Sequence, residues 1–316
     1  MRITYIHHKD IDKEKWDRCI SNAANGLIYG YSYYLDIMSA NWDALVMNDY
    51  EVVMPLTWKK KLGISYLCQP AFTQQLGIFG SPPFSENLIQ AFIARASAHF
   101  PLIEINLNFA DHYKNTTVEK CNLILPLNES FIEIEKKFKR DLLKNIQKAK
   151  KNNLVYEATD EFEKAIMLYK DTYSEKFYKP EEDYNNFLNL CTELKNKNQL
   201  IIRKVNSLEG NLLAIGIFIQ DDKRIYKTMT TTLKDGRNQE ANHFLLYELI
   251  KEYSGQNLIF DFVGSDIPSI NSFCRKFGSI EQPYSFVRIN RLPFFIKRVK
   301  QVYDYLKSGK KRKRVK

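Results

Sequence analysis

Alternation of apolar and polar residues predicts short strands over residues 2–7, 50–58 and 63–68, the last two joined by a basic turn at 59–61. Residues 13–21 suit a helical turn or two, and Leu88, Ile89, Phe92, Ile93 and Ala96 recur at the spacing of an amphipathic helix over 86–97. Residues 102–107 alternate again and 117–125 add another strand. After Pro126 the period changes: Phe131, Ile134, Phe138, Leu142, Ile146 and Ala149 mark one face of a single long helix over 130–151.

Beyond that helix the pattern predicts a strand (154–158), two helices (161–176 and 182–197) and strands at 200–205, 212–220 and 224–231, with turns at 207–210 and 221–223. A helix (240–253), a strand (258–263), a short helix (268–277) and a strand (285–289) complete the order β, α, α, β, β, β, α, β, α, β. The change of period puts a domain boundary before the long helix, giving 1–126, 127–290 and a terminal segment 291–316.

Length and composition fit two packed domains: 316 residues, 44% hydrophobic and 13% aromatic. No stretch of about 18 uncharged apolar residues occurs, and the opening decapeptide is polar, so a cytoplasmic chain is expected. Cys19, Cys68, Cys121, Cys191 and Cys274 are scattered, odd in number and never spaced as C-x-x-C, which disfavours a disulfide framework or a zinc site. His7, His8, His99, His112 and His243 show no ligand spacing beyond one adjacent pair, and no metal is expected. Residues 291–316 carry eleven cations against Asp304, which is the whole net charge of +10 and leaves 1–290 neutral. A neutral body offers no broad field to a phosphate backbone.

H-E-x-x-H, G-x-S-x-G, a Walker loop and a dinucleotide fingerprint are all missing from the sequence, which counts against metalloprotease, hydrolase, kinase and dehydrogenase chemistry. More specific are Lys144-Asn145-Ile146-Gln147-Lys148-Ala149-Lys150, Phe260-Asp261-Phe262-Val263-Gly264-Ser265 and Phe273-Cys274-Arg275-Lys276-Phe277-Gly278. With the element order, these resemble the R-x-x-I-x-K-A-x-K helix and the D-F-x-G and F-K-x-x-F-G segments of the Fem-like transferases of the GNAT superfamily. The likeness covers 127–290 well; residues 1–126 match by size, by Tyr29-Gly30-Tyr31-Ser32-Tyr33-Tyr34 and by Gln74-Gln75-Leu76-Gly77.

The resemblance implies an α+β chain of two tandem GNAT modules with mostly antiparallel sheets, followed by a basic amphipathic helix. It implies an N-acyltransferase in which acyl-CoA lies where the fourth strand (224–231) parts from the fifth (258–263), so the enzyme reading requires those segments to separate. The acceptor would be an amine of an envelope precursor, either a small molecule such as a nucleotide sugar or a lipid-linked intermediate. A Fem-like peptidyltransferase using aminoacyl-tRNA and a non-catalytic GNAT-fold binding module are the alternatives. The chain departs from the pattern where Asp235-Gly236-Arg237-Asn238-Gln239-Glu240-Ala241-Asn242 replaces a Gly-rich phosphate loop, and where Cys274 stands at the lysine of F-K.

Candidate residues follow from those placements. Asp261, opposite in strand parity to Phe260 and Phe262, is either a general base or a structural pair. Asp266, with Ser265 before Ile267-Pro268, either caps a helix or steers the acceptor amine. Tyr284 suits a general acid and Lys276 a nearby cation. Tyr226, Thr228 and Thr230 would line the carrier's path with Arg237, Asn238 and Asn242 at the loop, unless they simply pack. Tyr31, Tyr34, Gln74 and Gln75 either line an acceptor groove or belong to the first core, and Arg140 and Lys144 begin a basic stripe that either faces solvent or holds a diphosphate. Phe295, Val299, Val302 and Leu306 share a face beside Lys297, Arg298 and Lys300, which suits contact with the inner face of the cytoplasmic membrane; a docked helix and a tRNA contact are the other readings.

Overall fold

The computed structural model describes residues 2–111, 113–114, 118–175, 178–264, 266–298 and 300. The chain divides into two compact units, one of residues 1–120, 175–187 and 283–316, the other of 121–174 and 188–282.

The first unit is built on strands β1 (Ile3–Ile6), β2 (Trp42–Met47), β3 (Val52–Lys61), β4 (Ile64–Cys68), β5 (Leu102–Asn106) and β6 (Val118–Lys120). A C-terminal strand, Tyr284–Asn290, inserts between β5 and β6 to give a seven-stranded sheet. This corrects the expected organisation, in which the strand at 285–289 closed the second module. Helix α1 (Lys13–Asn22) is capped by Asp12, whose carboxylate accepts from the Lys15 N–H at 3.1 Å, and α2 (Ser32–Met38) follows it. Helix α3 (Glu86–His99) buries Ile89, Phe92, Ile93 and Ala96 against Leu45, Met54, Leu56, Leu67 and Ile103. Burying such a set stabilises by about 1.5–3 kcal/mol per large side chain.

The second unit runs from β7 (Leu123–Pro126) through α4 (Phe131–Lys136), α5 (Arg140–Lys151), β8 (Val155–Ala158), α6 (Phe162–Tyr173) and α7 (Glu181–Asn196), the last crossing the division of the chain. Then come β9 (Leu200–Asn206), β10 (Leu212–Gln220), β11 (Arg224–Thr232), α8 (Lys234–Asn238), α9 (Ala241–Tyr253), β12 (Ile259–Asp261), α10 (Pro268–Arg275) and β13 (Ile280–Glu281). The sheet order is β13-β7-β12-β11-β10-β9-β8. Strand β10 is buried at its seven interior positions and packs against α9 and α6.

Two expected elements are split. The strand expected over 117–125 is, among the described residues, two strands in different sheets, β6 and β7, separated at Cys121 and the fully buried Asn122. The helix expected over 130–151 breaks at 137–139, where the Lys139 N–H donates to the Lys276 carbonyl at 2.8 Å instead of continuing the helical ladder. Among the described residues no helix is long and apolar enough to cross a membrane.

Candidate functional site

The sheet of the second unit opens where the resemblance implies. β11 and β12 are parallel and pair only at Arg224↔Ile259, Ile225↔Phe260 and Tyr226↔Asp261, while β11 stays paired with β10 to Thr232. Beyond Tyr226 the β12 side of β11 has no strand partner among the described residues. A bulge marks the parting: Ile217 faces Met229 and Phe218 faces Lys227, so Thr228 is the extra residue, its hydroxyl donating to the Ile217 carbonyl at 2.8 Å. Unpaired main-chain groups beside a bulge can bind an extended carrier and a carbonyl oxygen without a particular side chain.

Of the residues expected along this path, Thr228 and Thr230 are half-buried on the β11 stretch that has left β12. Tyr226 is fully buried and its hydroxyl donates to Asp221 at 2.7 Å, anchoring the turn rather than lining the path. Lys227 is half-buried and close enough to Cys274 to pull on its thiol electrostatically, although burial is the larger effect and raises that thiol. The F-K position is thus cysteine in sequence, with a lysine from β11 beside it.

The phosphate-loop segment differs from a Gly-rich cradle. It forms α8, and Gly236 serves packing: a Cβ there would lie 2.2 Å from the Leu213 carbonyl oxygen. Arg237 and Asn238 are exposed, and the Arg237 Nε points to the Thr232 carbonyl at 3.4 Å. Glu240 takes a left-handed conformation (φ 61°) to start α9 and sets its carboxylate at that helix's amino end. It pairs there with His243 Nδ1 at 3.0 Å and Lys148 Nζ at 3.2 Å. A carboxylate at a helix N-terminus occupies the electrostatic position a pyrophosphate would take. Asn242 buries its side-chain oxygen with no hydrogen-bond donor among the described residues.

His243 is a site residue the sequence did not reveal. Burial lowers its pKa, with Lys276 acting the same way and Glu240 and Asp141 opposing. Its Nε2 lies 3.5 Å from the Asn145 amide and its ring 4.9 Å from that of Phe273. The available signal was a Glu and a His three apart at the first turn of a predicted helix, a spacing that suits an ion pair and not a metal site.

Asp261 is almost fully buried and every oxygen is engaged: Arg224 Nη1 at 3.0 Å, the Asn122 amide at 3.0 and 3.1 Å, and the Val263 N–H at 2.8 Å. Burial raises its pKa while Arg224 and these donors oppose. Of the two readings left open, the geometry fits a structural pair. Lys276 binds Asp141 at 2.7 Å, tying α10 to the start of α5 and holding the Asp141 carboxyl below its usual range. Asp266 is exposed, and the helix cap is Ile267, with no side-chain bond, so the expected Asp266 cap is not formed; Ser265 lies outside the described residues. Tyr284 belongs to the first unit's sheet, paired with Lys120, and not to the second unit. Arg140 and Lys144 are exposed on α5, whereas Lys148 of the same stripe is engaged by Glu240.

In the first unit the equivalent opening is closed by the chain itself. β4 and β5 pair in parallel only at Leu67↔Ile103 and Cys68↔Glu104. Past that point the Asn106 N–H donates to Gln69 Oε1 at 3.1 Å, the Asn106 amide to the Gln74 carbonyl at 2.7 Å, and the Leu76 N–H to the Asn106 carbonyl at 3.0 Å. Gln74, Gln75 and Tyr34 are buried, Gln75 donating to Gln74 at 3.0 Å and Tyr34 to the Phe72 carbonyl at 3.0 Å. They belong to the core and not to a groove, while Tyr31 stacks on Tyr33 and is partly exposed.

No family model and no curated protein matches the sequence. Solved structures do match in fold. FemX is 12% identical with a TM-score of 0.64, covering 91% of this chain and 97% of its own. A tandem GNAT protein from the clavulanic acid biosynthesis pathway is 9% identical (TM-score 0.51; 92% of this chain, 100% of its own), and a conserved protein of unknown function from Bacteroides thetaiotaomicron is 9% identical (0.52; 87% and 92%). The chain therefore has the tandem GNAT fold, and its fold-level likeness to Fem-type proteins is real.

Proposed function

We propose that the chain is an N-acyltransferase whose second unit holds the acyl carrier between β11 and β12 and delivers the acyl group to an amine of a cell-envelope precursor. The observation that carries this reading is the parting of the two strands after three residue pairs, with a bulge at Thr228. In the reaction the amine nitrogen attacks the acyl carbonyl, a C–N bond forms, the bond to the carrier breaks, and the amine proton passes to a base. His243, kept neutral near pH 7 by burial and oriented through Nδ1 by Glu240, suits that base; Lys227 suits the developing oxyanion.

Glu240 and α8 favour the aminoacyl-tRNA alternative over acyl-CoA, because a fixed carboxylate and a packed glycine stand where a diphosphate would be gripped. Titration calorimetry with CoA and with charged tRNA decides: binding of tRNA alone supports this carrier, binding of CoA alone restores the other, and binding of neither leaves a non-catalytic module. With the carrier known, His243→Asn should lower kcat about 100-fold with little change in KM. The acid limb of the wild-type profile should lie below the ordinary histidine value of about 6.5. Lys227→Met should lower kcat at least 10-fold. A wild-type rate in both variants would remove these roles.

A further inference from the structure

The expected membrane contact rested on a C-terminal helix, but Val299, Val302, Leu306 and the basic run at 307–316 lie outside the described residues. A different element carries the argument. β3 and β4 form a hairpin that presents Lys59, Lys60 and Lys61, all exposed, and Leu62, 79% exposed, at its tip. Trp58 pairs with Leu67, Leu67 with Ile103, and Ile103 with Ile289, so these four residues form one row across the sheet. The hairpin tip and the segment after Asn290 leave that row at the same end. There Phe294 and Phe295 are 63% and 80% exposed, beside Arg291 and Lys297, with the Arg298 guanidinium 5.2 Å from the Phe294 ring centre. The carboxylate on the neighbouring strand, Glu104, is already bound by Arg288 and Lys300.

Single exposed apolar residues mean little. Here three large ones share one sheet end with six cations. Leu62 is also an unusual choice for its place: it has φ 50° and Gly63 φ 79°, the backbone of a two-residue hairpin turn in which Asn is the favoured first residue. Local folding does not call for leucine there.

We infer that this end of the first unit, hairpin tip together with residues 291–298, is a docking surface for an anionic phospholipid bilayer. Leu62, Phe294 and Phe295 enter the interface while the lysines and arginines meet the headgroups. Exposed apolar side chains favour a bilayer over a nucleic acid, whose backbone would be met by the cations alone.

Co-sedimentation of the full chain at low salt with phosphatidylcholine vesicles, with and without phosphatidylglycerol, tests this. Partition is expected only with the anionic lipid, and should weaken at 1 M salt, where screening acts within about 3 Å. Leu62→Asn improves the turn chemistry, so a lower melting temperature is not expected, yet partition should fall about 10-fold. Lys59→Ala with Lys60→Ala should lower it about 25-fold, at roughly 5-fold per lysine. Failure to bind anionic vesicles, or unchanged partition in both hairpin variants, overturns the inference. So does loss of tRNA affinity in the lysine variant with vesicle binding intact.

Discussion

Arg224→Met is expected to lower the free energy of unfolding by about 3–5 kcal/mol, since it leaves the Asp261 carboxylate buried without its cation. The pair is only 5% and 2% exposed at the side chains, at 3.0 Å, and Arg224 also donates to Gln282 at 2.9 Å. Adding Asp261→Leu to Arg224→Met should recover part of the loss, because no unpaired charge remains. Recovery stays incomplete, since the Asn122 amide and the Val263 N–H then lack their acceptor. A double-mutant cycle by chemical denaturation should give a coupling of about 2–3 kcal/mol. The pair also bears on function, for Tyr226↔Asp261 is the last register position before β11 and β12 part. Asp261→Asn separates the two readings of this residue. A large loss of transfer with an unchanged denaturation curve would restore Asp261 as a base; loss of stability with the surviving rate of the folded fraction near wild type keeps it in the scaffold.

The legible parts of this chain are those whose determinants are local. β10 runs over Leu212–Gln220, matching the expected 212–220, because its apolar run is bounded by turn residues on both sides. The parting of β11 from β12 was also foreseeable once the element order resembled a GNAT module. What failed was set by distant partners. Helix α2 has no cap of its own; the Ser32 N–H and hydroxyl both donate to Asp17 of α1 at 2.7 Å. The break at 137–139 is hidden because Ile134, Phe138 and Leu142 keep helical spacing across it, while Gly278 packs against Lys137 so closely that a Cβ would come within 2.7 Å. The destination of the strand at Tyr284–Asn290 is a matter of topology, and its pattern suits either sheet equally. At the site, α8 arises from the segment that replaces a Gly-rich phosphate loop, and only the fold shows that its glycine makes a packing contact.

The second large effect is a gain of stability. Asp111 is fully buried, and burial pushes its carboxyl up to about 8 despite N–H bonds from Ile78 at 2.9 Å and Asn108 at 3.2 Å. Its other oxygen has no hydrogen-bond partner among the described residues. Gly77, φ 94°, lets the carboxyl approach the chain, since a Cβ would stand 2.3 Å from Oδ2. That accounts for the glycine that ends the Gln74-Gln75-Leu76-Gly77 motif. An aspartate whose folded pKa exceeds its unfolded value binds more protons folded than unfolded, so stability falls as pH rises, by up to about 1.4 kcal/mol per unit between about pH 4 and pH 8. Asparagine keeps an oxygen for the two N–H donors and never ionises in the unfolded chain. Protonated Asp111 leaves one buried donor at the second position and an asparagine in its place leaves two, so about 1 kcal/mol of the roughly 4 kcal/mol gained at pH 7 is given back. Asp111→Asn should therefore raise the unfolding free energy by about 3 kcal/mol at pH 7 and flatten its dependence between pH 5 and pH 8. Urea denaturation of both proteins across that range is the measurement. Parallel slopes, or a less stable variant at pH 8, would mean that the carboxyl is ionised in the folded chain and holds a partner that compensates it.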